Sequence, residues 1–174
     1  MPKHILHSAA TPKWGTPADI VERARRVMGS INLDPCSSDY FNQVVQAEQH
    51  YSLDDRQEDG LALPWFGNVF CNPPGGLVRE FWRKAMAEPY LQMIWVGFSL
   101  EQLALLADEP FHPMDFSICI PRKRLKFKRH DGYMGSPSHS NYIAGVYVDH
   151  DRFNAYFGEL GKVFRFGGNT QPTH

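Results

Sequence analysis

Residues 68–76 read Asn-Val-Phe-Cys-Asn-Pro-Pro-Gly-Gly, a short apolar run followed by residues that interrupt regular structure. The apolar run has the length and composition of a buried strand, and two prolines cannot continue such a strand. Beyond the interruption, apolar residues recur at helical spacing from Val78 to Met86, which predicts a helix. The sequence therefore predicts a strand, a loop and a helix here. The loop carries a polar side chain, Asn72, at the carboxyl end of the strand.

The segment upstream predicts a similar pairing of helix and strand. A first helix is expected over about residues 17–29, with Thr16 as N-cap, Pro17 at the first helical position and Gly29 as the stop. Residues 31–35, Ile-Asn-Leu-Asp-Pro, then predict a short buried strand that ends in an aspartate and a proline. A second polar side chain is therefore expected at the carboxyl end of a strand.

Downstream, strands and helices continue to alternate. Strands are expected at 91–98, 114–120, 142–148 and 162–166, and short helices at 100–107 and 152–157, whereas 37–66 is expected to be mostly loop with one helical turn around 44–50. Alternation of this kind predicts an α/β fold with a compact, mostly parallel open sheet and helices on both faces. Ligands of such sheets bind outside the carboxyl ends of the strands. We expect a single domain over residues 1–174, with 1–13 as a flexible N-terminal segment.

The composition hides an uneven charge distribution. The 174 residues are 43% apolar and 21% charged, typical of one globular domain and unlike repeats, fibres or wholesale disorder. Eighteen basic and 19 acidic residues give a net charge of -1, which by itself argues against a protein that coats nucleic acid. However, six basic residues share one stretch without an acid, and the rest of the chain has 12 basic and 19 acidic residues, net -7. They are Arg122, Lys123, Arg124, Lys126, Lys128 and Arg129.

This basic stretch alternates charged and apolar residues. On a strand, Leu125 and Phe127 would face the core while Arg124, Lys126 and Lys128 project together, which suits contact with a row of phosphates. The alternative is an ordinary solvated edge strand whose lysines deter aggregation. The loop that follows, 131–140, is rich in Gly, Pro and Ser and is a candidate for contacting or parting base pairs.

The three cysteines show no metal-binding spacing, which indicates a reducing compartment and no zinc site. Residues 1–14 lack the apolar core of a signal peptide, and the most apolar stretch, 90–100, is shorter than the roughly 20 residues that span a bilayer. We therefore expect a cytoplasmic protein, with no membrane or metal partner, that is a monomer or a weak dimer.

Asn72 and Pro73 carry the most specific chemical signal. The prolines restrict the backbone so that the side-chain carbonyl of Asn72 and the main-chain carbonyl of Pro73 both face outward. Two such acceptors suit an exocyclic amino group, which can donate both hydrogens and present its nitrogen lone pair to an electrophilic methyl group. The alternative is that the prolines and glycines only end the strand and turn the chain.

Four landmarks lie along the chain in a fixed order: Trp14-Gly15-Thr16-Pro17, Leu33-Asp34-Pro35-Cys36-Ser37-Ser38, Asp59-Gly60-Leu61 and Cys71-Asn72-Pro73-Pro74. Together they resemble the phage-type (Dam-like) DNA N6-adenine methyltransferases, and the resemblance covers roughly residues 14–150. It implies a Rossmann-like methyltransferase fold, S-adenosyl-L-methionine as methyl donor and adenine in DNA as acceptor. It also implies a phage or prophage protein that acts in the cytoplasm of a bacterial host.

The resemblance assigns roles residue by residue. The catalytic loop would be Asn72, Pro73, Pro74 and Gly75. The cofactor would contact Trp14, Thr16, Pro17, Asp34, Pro35, Cys36, Ser37 and Asp59, where Asp59 is favoured over Asp54 and Asp55 for the ribose or adenine of the cofactor. Apart from the resemblance, the basic stretch and the loop after it supply the candidate DNA-contacting residues, which are Arg122, Arg124, Lys126, Lys128, Arg129, His139 and Asn141.

The sequence departs from the family pattern in two places. Gly75 stands where these enzymes usually carry an aromatic residue that stacks on the flipped-out base. The apolar positions of Phe81 and Trp82 on the following helix predict core residues rather than substitutes, and the cofactor loop lacks a Gly-x-Gly. Two other functions therefore stay open: a methyltransferase fold that binds DNA without catalysis, and an amino-methyltransferase that acts on cytosine N4 or on a free nucleotide.

Overall fold

The computed structural model describes residues 14–106 and 115–166. The predicted flexible segment at 1–13 therefore lies outside the described residues, as do Ala107 and Met114 at the ends of two predicted elements. The helices are α1 (Ala18–Met28), α2 (Asp39–Val45), α3 (Leu53–Arg56), α4 (Val78–Ala87), α5 (Glu101–Leu106) and α6 (His150–Phe157), and a 3-10 turn covers Gly75–Leu77. The strands are β1 (Trp14–Gly15), β2 (Leu33–Asp34), β3 (Gln49–His50), β4 (Asn68–Cys71), β5 (Gln92–Gly97), β6 (Phe116–Pro121), β7 (Phe127–Arg129), β8 (Met134–Gly135), β9 (Tyr142–Val146) and β10 (Gly161–Phe166).

The main sheet has seven described strands in the order β10-β6-β9-β5-β4-β2-β3, which confirms the α/β class. The pairs β3–β2, β2–β4 and β4–β5 are parallel, whereas β9 is antiparallel to both β5 and β6, and β10 is antiparallel to β6. The predicted mostly parallel sheet is thus wrong, because the sheet is mixed. The sheet is mixed because the chain between β6 and β9 does not cross to the other edge of the sheet. The chain re-enters the sheet at the edge where β6 ends, so β9 runs in the opposite direction to β6.

A second, three-stranded sheet is built from β1, β7 and β8, all antiparallel. Trp14 pairs with Arg129 and Gly15 with Lys128, so the start of the described chain lies against the basic stretch. Only part of the basic stretch forms a strand, β7, but the expected alternation of buried and exposed side chains is confirmed. Leu125 and Phe127 are buried, and the basic side chains between and beside them are exposed.

The core lies on both faces of the main sheet. Successive residues of β4 and β5 point to opposite faces, so Phe70 and Ile94 join α1 and α6 in one cluster while Val69 and Trp95 join α4 in the other. The predicted helices on both faces are therefore confirmed. Within the described residues, no helix is long and apolar enough to cross a membrane.

Two local predictions are wrong: the place of the helical turn within 37–66 and the N-cap of α1. The segment 37–66 is mostly loop, as predicted, but its helices α2 and α3 are centred before and after the expected turn at 44–50, and β3 lies within it. Ser38 and Ser52 each cap one of these short helices by accepting from a backbone N–H three residues on. Thr16 is not the N-cap of α1. The cap is Pro17, without a side-chain hydrogen bond, and the Thr16 hydroxyl accepts from the Asn72 amide instead.

Candidate functional site

A crevice is expected where the strand order reverses. From β2 the chain proceeds to β3 on one side, then crosses to β4 on the other side and continues outward to β5. In open α/β sheets, ligands bind outside the carboxyl ends of strands at such a switch point. Asp34 ends β2 and Asn72 directly follows β4, so both of the polar side chains singled out in the sequence lie at this point.

Asn72 is held by its amide nitrogen. Its Nδ2 donates to the carbonyl oxygen of Trp14 at 3.1 Å and to Oγ1 of Thr16 at 3.0 Å. Its Oδ1 is buried and has no hydrogen-bond partner among the described residues. A buried acceptor without a partner is unfavourable, so Oδ1 is an atom that a bound donor would satisfy. The Pro73 carbonyl oxygen likewise accepts no hydrogen bond from the described part of the chain.

Asp34 is a buried carboxyl group, only 4% exposed. Burial raises its pKa from 3.8 to about 7, although hydrogen bonds from the Cys36 backbone and the Ser37 side chain act in the opposite direction. The Cys36 N–H donates to Oδ1 of Asp34 at 3.2 Å. A carboxylate in this position would favour a cationic ligand group, since a cation would offset the loss of hydration.

Cys36 joins the two loops. Its Sγ lies 3.3 Å from the carbonyl oxygen of Asn72 and 3.6 Å from Sγ of Cys71. The loop after β2 and the loop after β4 therefore touch directly. Ser37 is also buried, and its N–H donates to the carbonyl oxygen of Tyr51 at 3.0 Å. These contacts fix the loop that follows Asp34.

Asp59 belongs to a turn packed on the same loop. A side chain on Gly60 would overlap the Pro35 carbonyl oxygen, so the two backbones approach as closely as only glycine allows. Oδ1 of Asp59 accepts from the N–H of Leu61 at 2.9 Å, which stabilises the turn. Asp55, by contrast, accepts from the N–H of Asp39 at the start of α2. Of the three acids considered, Asp59 lies in the turn that reaches the Asp34 loop.

Trp14 connects the site to the basic stretch. While its carbonyl oxygen accepts from Asn72, its indole ring lies 5.8 Å from the guanidinium carbon of Arg129, which is also 5.7 Å from the Tyr133 ring. Arg129 further pairs with Asp131 at 2.8 Å. Arg129 is thus held in place by its neighbours, with Tyr133 59% exposed beside it.

The remaining basic residues differ in the hydrogen bonds and ion pairs that they form. Arg122 donates to the carbonyl oxygen of Glu159 at 2.9 Å and Arg124 to that of Pro137 at 3.4 Å. Lys126 and Lys128 are exposed and form no ion pair with any residue that the structure describes. These two lysines, like the exposed Lys123, are positive charges that no acidic side chain of the described residues neutralises.

His139 and Asn141 differ in exposure to solvent. His139 is exposed, with Nδ1 2.8 Å from the Ser138 hydroxyl. Asn141 is only 2% exposed: its Oδ1 accepts from the N–H of Leu125 at 2.9 Å and its Nδ2 donates to the carbonyl oxygens of Gly97 and Phe98. The prediction that Asn141 contacts DNA is therefore wrong, because its amide is used inside the protein to tie the basic stretch to the end of β5.

The environment of Gly75 is open. Gly75 is exposed, and a Cβ built on it would meet no atom within 4 Å. Phe81 and Trp82 are 4% and 2% exposed, which confirms that they are core residues. An aromatic residue that the sequence reasoning missed, Phe98, directly follows β5 at the same edge and stacks on Phe127 with ring centroids 4.6 Å apart. The position of Phe98 at the end of the apolar run 91–98 could have indicated that it lies at the carboxyl end of a strand.

The described residues contain no group of three or more His, Cys, Asp or Glu side chains that could hold a metal ion. A scan against protein-family models and a search of curated proteins found no match to this chain.

Proposed function

We propose that the protein is an S-adenosylmethionine-dependent DNA methyltransferase with a Rossmann-like fold that modifies the N6 amino group of adenine. The observation that carries the proposal is the buried, unpartnered Oδ1 of Asn72 at the switch point of the sheet. An exocyclic amino group is a donor of two hydrogens, and Oδ1 of Asn72 and the carbonyl oxygen of Pro73 are two acceptors in one rigid loop. The ordered landmarks around this loop support the same assignment.

The role proposed for the loop is to make the amino nitrogen of adenine more nucleophilic. The amino nitrogen of adenine is a poor nucleophile because its lone pair is delocalised into the ring. When both hydrogens are drawn toward Asn72 and Pro73, the nitrogen becomes pyramidal and its lone pair is no longer conjugated with the ring. Asn72 and Pro73 would hold the amino group in this state. The nitrogen would bond to the methyl group as the sulfonium S–CH3 bond breaks and its electron pair returns to sulfur, and the nitrogen would then release one proton to solvent.

The residues at the end of β2 fit a sulfonium amino acid. S-adenosylmethionine supplies an electrophilic methyl group when it is bound. Asp34, buried and fixed by the Cys36 N–H, would accept from the ammonium group of its methionine part, and the turn of Asp59 lies on the same loop. Trp14, Thr16 and Pro17 lie in the segment directly before α1, next to Asn72.

The DNA-facing surface is proposed to be the exposed side of the basic stretch. Lys126 and Lys128 lie on or beside β7, and β7 pairs with the strand whose carbonyl oxygen holds Asn72. Phosphate contacts at these lysines would therefore bring the duplex next to the candidate catalytic loop. His139 and the exposed ring of Tyr133 border the same surface.

Transfer of labelled methyl groups to unmodified DNA tests the proposal. Wild-type protein should label DNA, and Asn72→Ala should lower kcat by about a hundredfold or more, as removal of one preorganised polar contact does in other enzymes. Asn154→Ala, an exposed amide on α6 remote from the sheet edge, is the matched control and should retain activity. Absence of labelling by wild type, or full activity of Asn72→Ala, would refute this function.

Mass analysis of the digested product separates the alternatives. Methyl groups on adenine support the proposal, and methyl groups on cytosine would assign the same loop to N4 chemistry. DNA binding without cofactor binding or methyl transfer would instead indicate a non-catalytic binding protein. Titration with S-adenosylhomocysteine distinguishes this last case without any need for the target sequence.

A further inference from the structure

The side-chain amide of Asn72 has an orientation that its partners determine. A main-chain carbonyl oxygen can only accept, so the NH2 group must face Trp14, whose carbonyl oxygen is 3.1 Å from Nδ2. The second hydrogen of the same NH2 group is directed to Oγ1 of Thr16 at 3.0 Å. Both donors are consumed, and the side chain offers only its acceptor, Oδ1, to a ligand.

The Thr16 hydroxyl is committed to this contact. A threonine directly before a proline at the start of a helix is ordinarily read as an N-cap, yet α1 has no side-chain cap. Thr16 is 7% exposed and is fixed between β1 and α1. On the β1 side, a Cβ on Gly15 would collide with the ring of Phe41, so the backbone next to Thr16 has little room to move. The hydroxyl is therefore held at Asn72.

We propose that Thr16 is a positioning residue for the methyl-transfer reaction, which keeps the Asn72 amide turned so that Oδ1 faces the amino group of the substrate. This inference rests on the proposed function. Without the hydroxyl, one hydrogen of the NH2 group loses its partner, and only the Trp14 carbonyl oxygen still opposes rotation of the amide by half a turn. The rotated amide would direct donors at the hydrogens of the substrate amine. Two sets of donors repel each other, so the rotated form would not react.

The test compares Thr16→Val, which keeps the shape and removes the hydroxyl, with Thr16→Ser, which keeps the hydroxyl. We expect Thr16→Val to lower kcat about tenfold, the effect of one hydrogen bond, while KM for DNA and the Kd for S-adenosylhomocysteine change less than twofold. Thr16→Ser should restore kcat to near the wild-type value. A rise in cofactor Kd at unchanged kcat would assign Thr16 to cofactor binding and overturn the proposal, and so would equal kcat values for the two variants.

A second measurement does not depend on activity. In a nitrogen-15 spectrum, the two Nδ2 protons of Asn72 should exchange slowly with solvent in the wild type and Thr16→Ser, and one of them should exchange at least tenfold faster in Thr16→Val. Unchanged exchange in Thr16→Val overturns the positioning role even if the wild type is an active methyltransferase. If the wild type transfers no methyl group but exchange is still faster in Thr16→Val, the proposed function is refuted. The hydrogen bond from Asn72 to Thr16 would then still be supported.

Discussion

Replacing Asp34 by Asn should stabilise the ligand-free protein at neutral pH. Burial raises the pKa of Asp34 from 3.8 to about 7, so the folded protein holds this proton more tightly than the unfolded chain does. The contribution of Asp34 to stability is therefore complete below about pH 4, declines as the pH rises toward 7, and is constant above 7. A pKa near 7 in place of 3.8 corresponds to a total loss of about 4 kcal/mol in the free energy of unfolding.

Urea unfolding of wild type and Asp34→Asn at several pH values measures this effect. Other groups titrate alike in both proteins, so the difference between the two free energies isolates Asp34. The variant should gain about 2–3 kcal/mol relative to wild type between pH 5 and pH 8. Asp151→Asn, which removes one exposed aspartate of α6, is the matched control for charge. Parallel stability curves for wild type and Asp34→Asn would refute a buried carboxyl group at this position.

The same substitution should weaken binding of the methyl donor. On the proposed function, Asp34 must ionise to accept from an ammonium group, so calorimetry with S-adenosylhomocysteine at pH 6 should detect release of most of one proton. The affinity of the wild type should rise with pH up to about 7 and then level off. Asp34→Asn should bind at least about thirtyfold more weakly, the cost of removing a charged hydrogen-bond partner. Unchanged affinity would exclude contact between Asp34 and the donor.

Three further changes have expected outcomes. Gly75→Phe should leave the free energy of unfolding within about 0.5 kcal/mol, since the site is open, and should raise affinity for DNA with an unpaired adenine about tenfold in fluorescence anisotropy. The combined change of Arg124, Lys126 and Lys128 to Ala should reduce the slope of log affinity against log salt by about 2–3, and an unchanged slope would remove this surface from the DNA interface. Asn141→Ala should lower the free energy of unfolding by about 2–4 kcal/mol in urea, and a loss below about 1 kcal/mol would contradict its internal role.

Local patterns predicted the centre of the fold. The strand β4, its proline-rich loop and α4 occur where the sequence indicates them, because apolar length, helical spacing and the exclusion of proline from central strands all act over a few residues. The alternation in the basic stretch was equally readable, as Leu125 and Phe127 are buried and the lysines beside them are exposed. Each of these features is decided by neighbours in sequence.

Long-range pairing could not be read in the same way. The antiparallel directions of β9 and β10 depend on where the chain lies between strands, and the pairing of Trp14 with Arg129 joins residues far apart in sequence. Thr16 was misread because its local signal, a hydroxyl before a helix, competes with the amide of Asn72, which only the tertiary fold brings near. Asn141 was named as a DNA contact, although it directly precedes the buried strand β9 and is itself buried.

The net charge of -1 loses its force as an argument against a nucleic-acid partner once the basic stretch is placed in the fold. Charges interact over about 8–10 Å at physiological salt, so acids farther away than this hardly weaken the field at a bound phosphate. The charges nearest the phosphate therefore matter most, and they include Lys126 and Lys128 beside an Arg129 that contacts two aromatic rings and pairs with Asp131. Because β1 both pairs with β7 and holds Asn72, the proposed function places the contact of DNA with the lysines next to the loop that would receive the amino group.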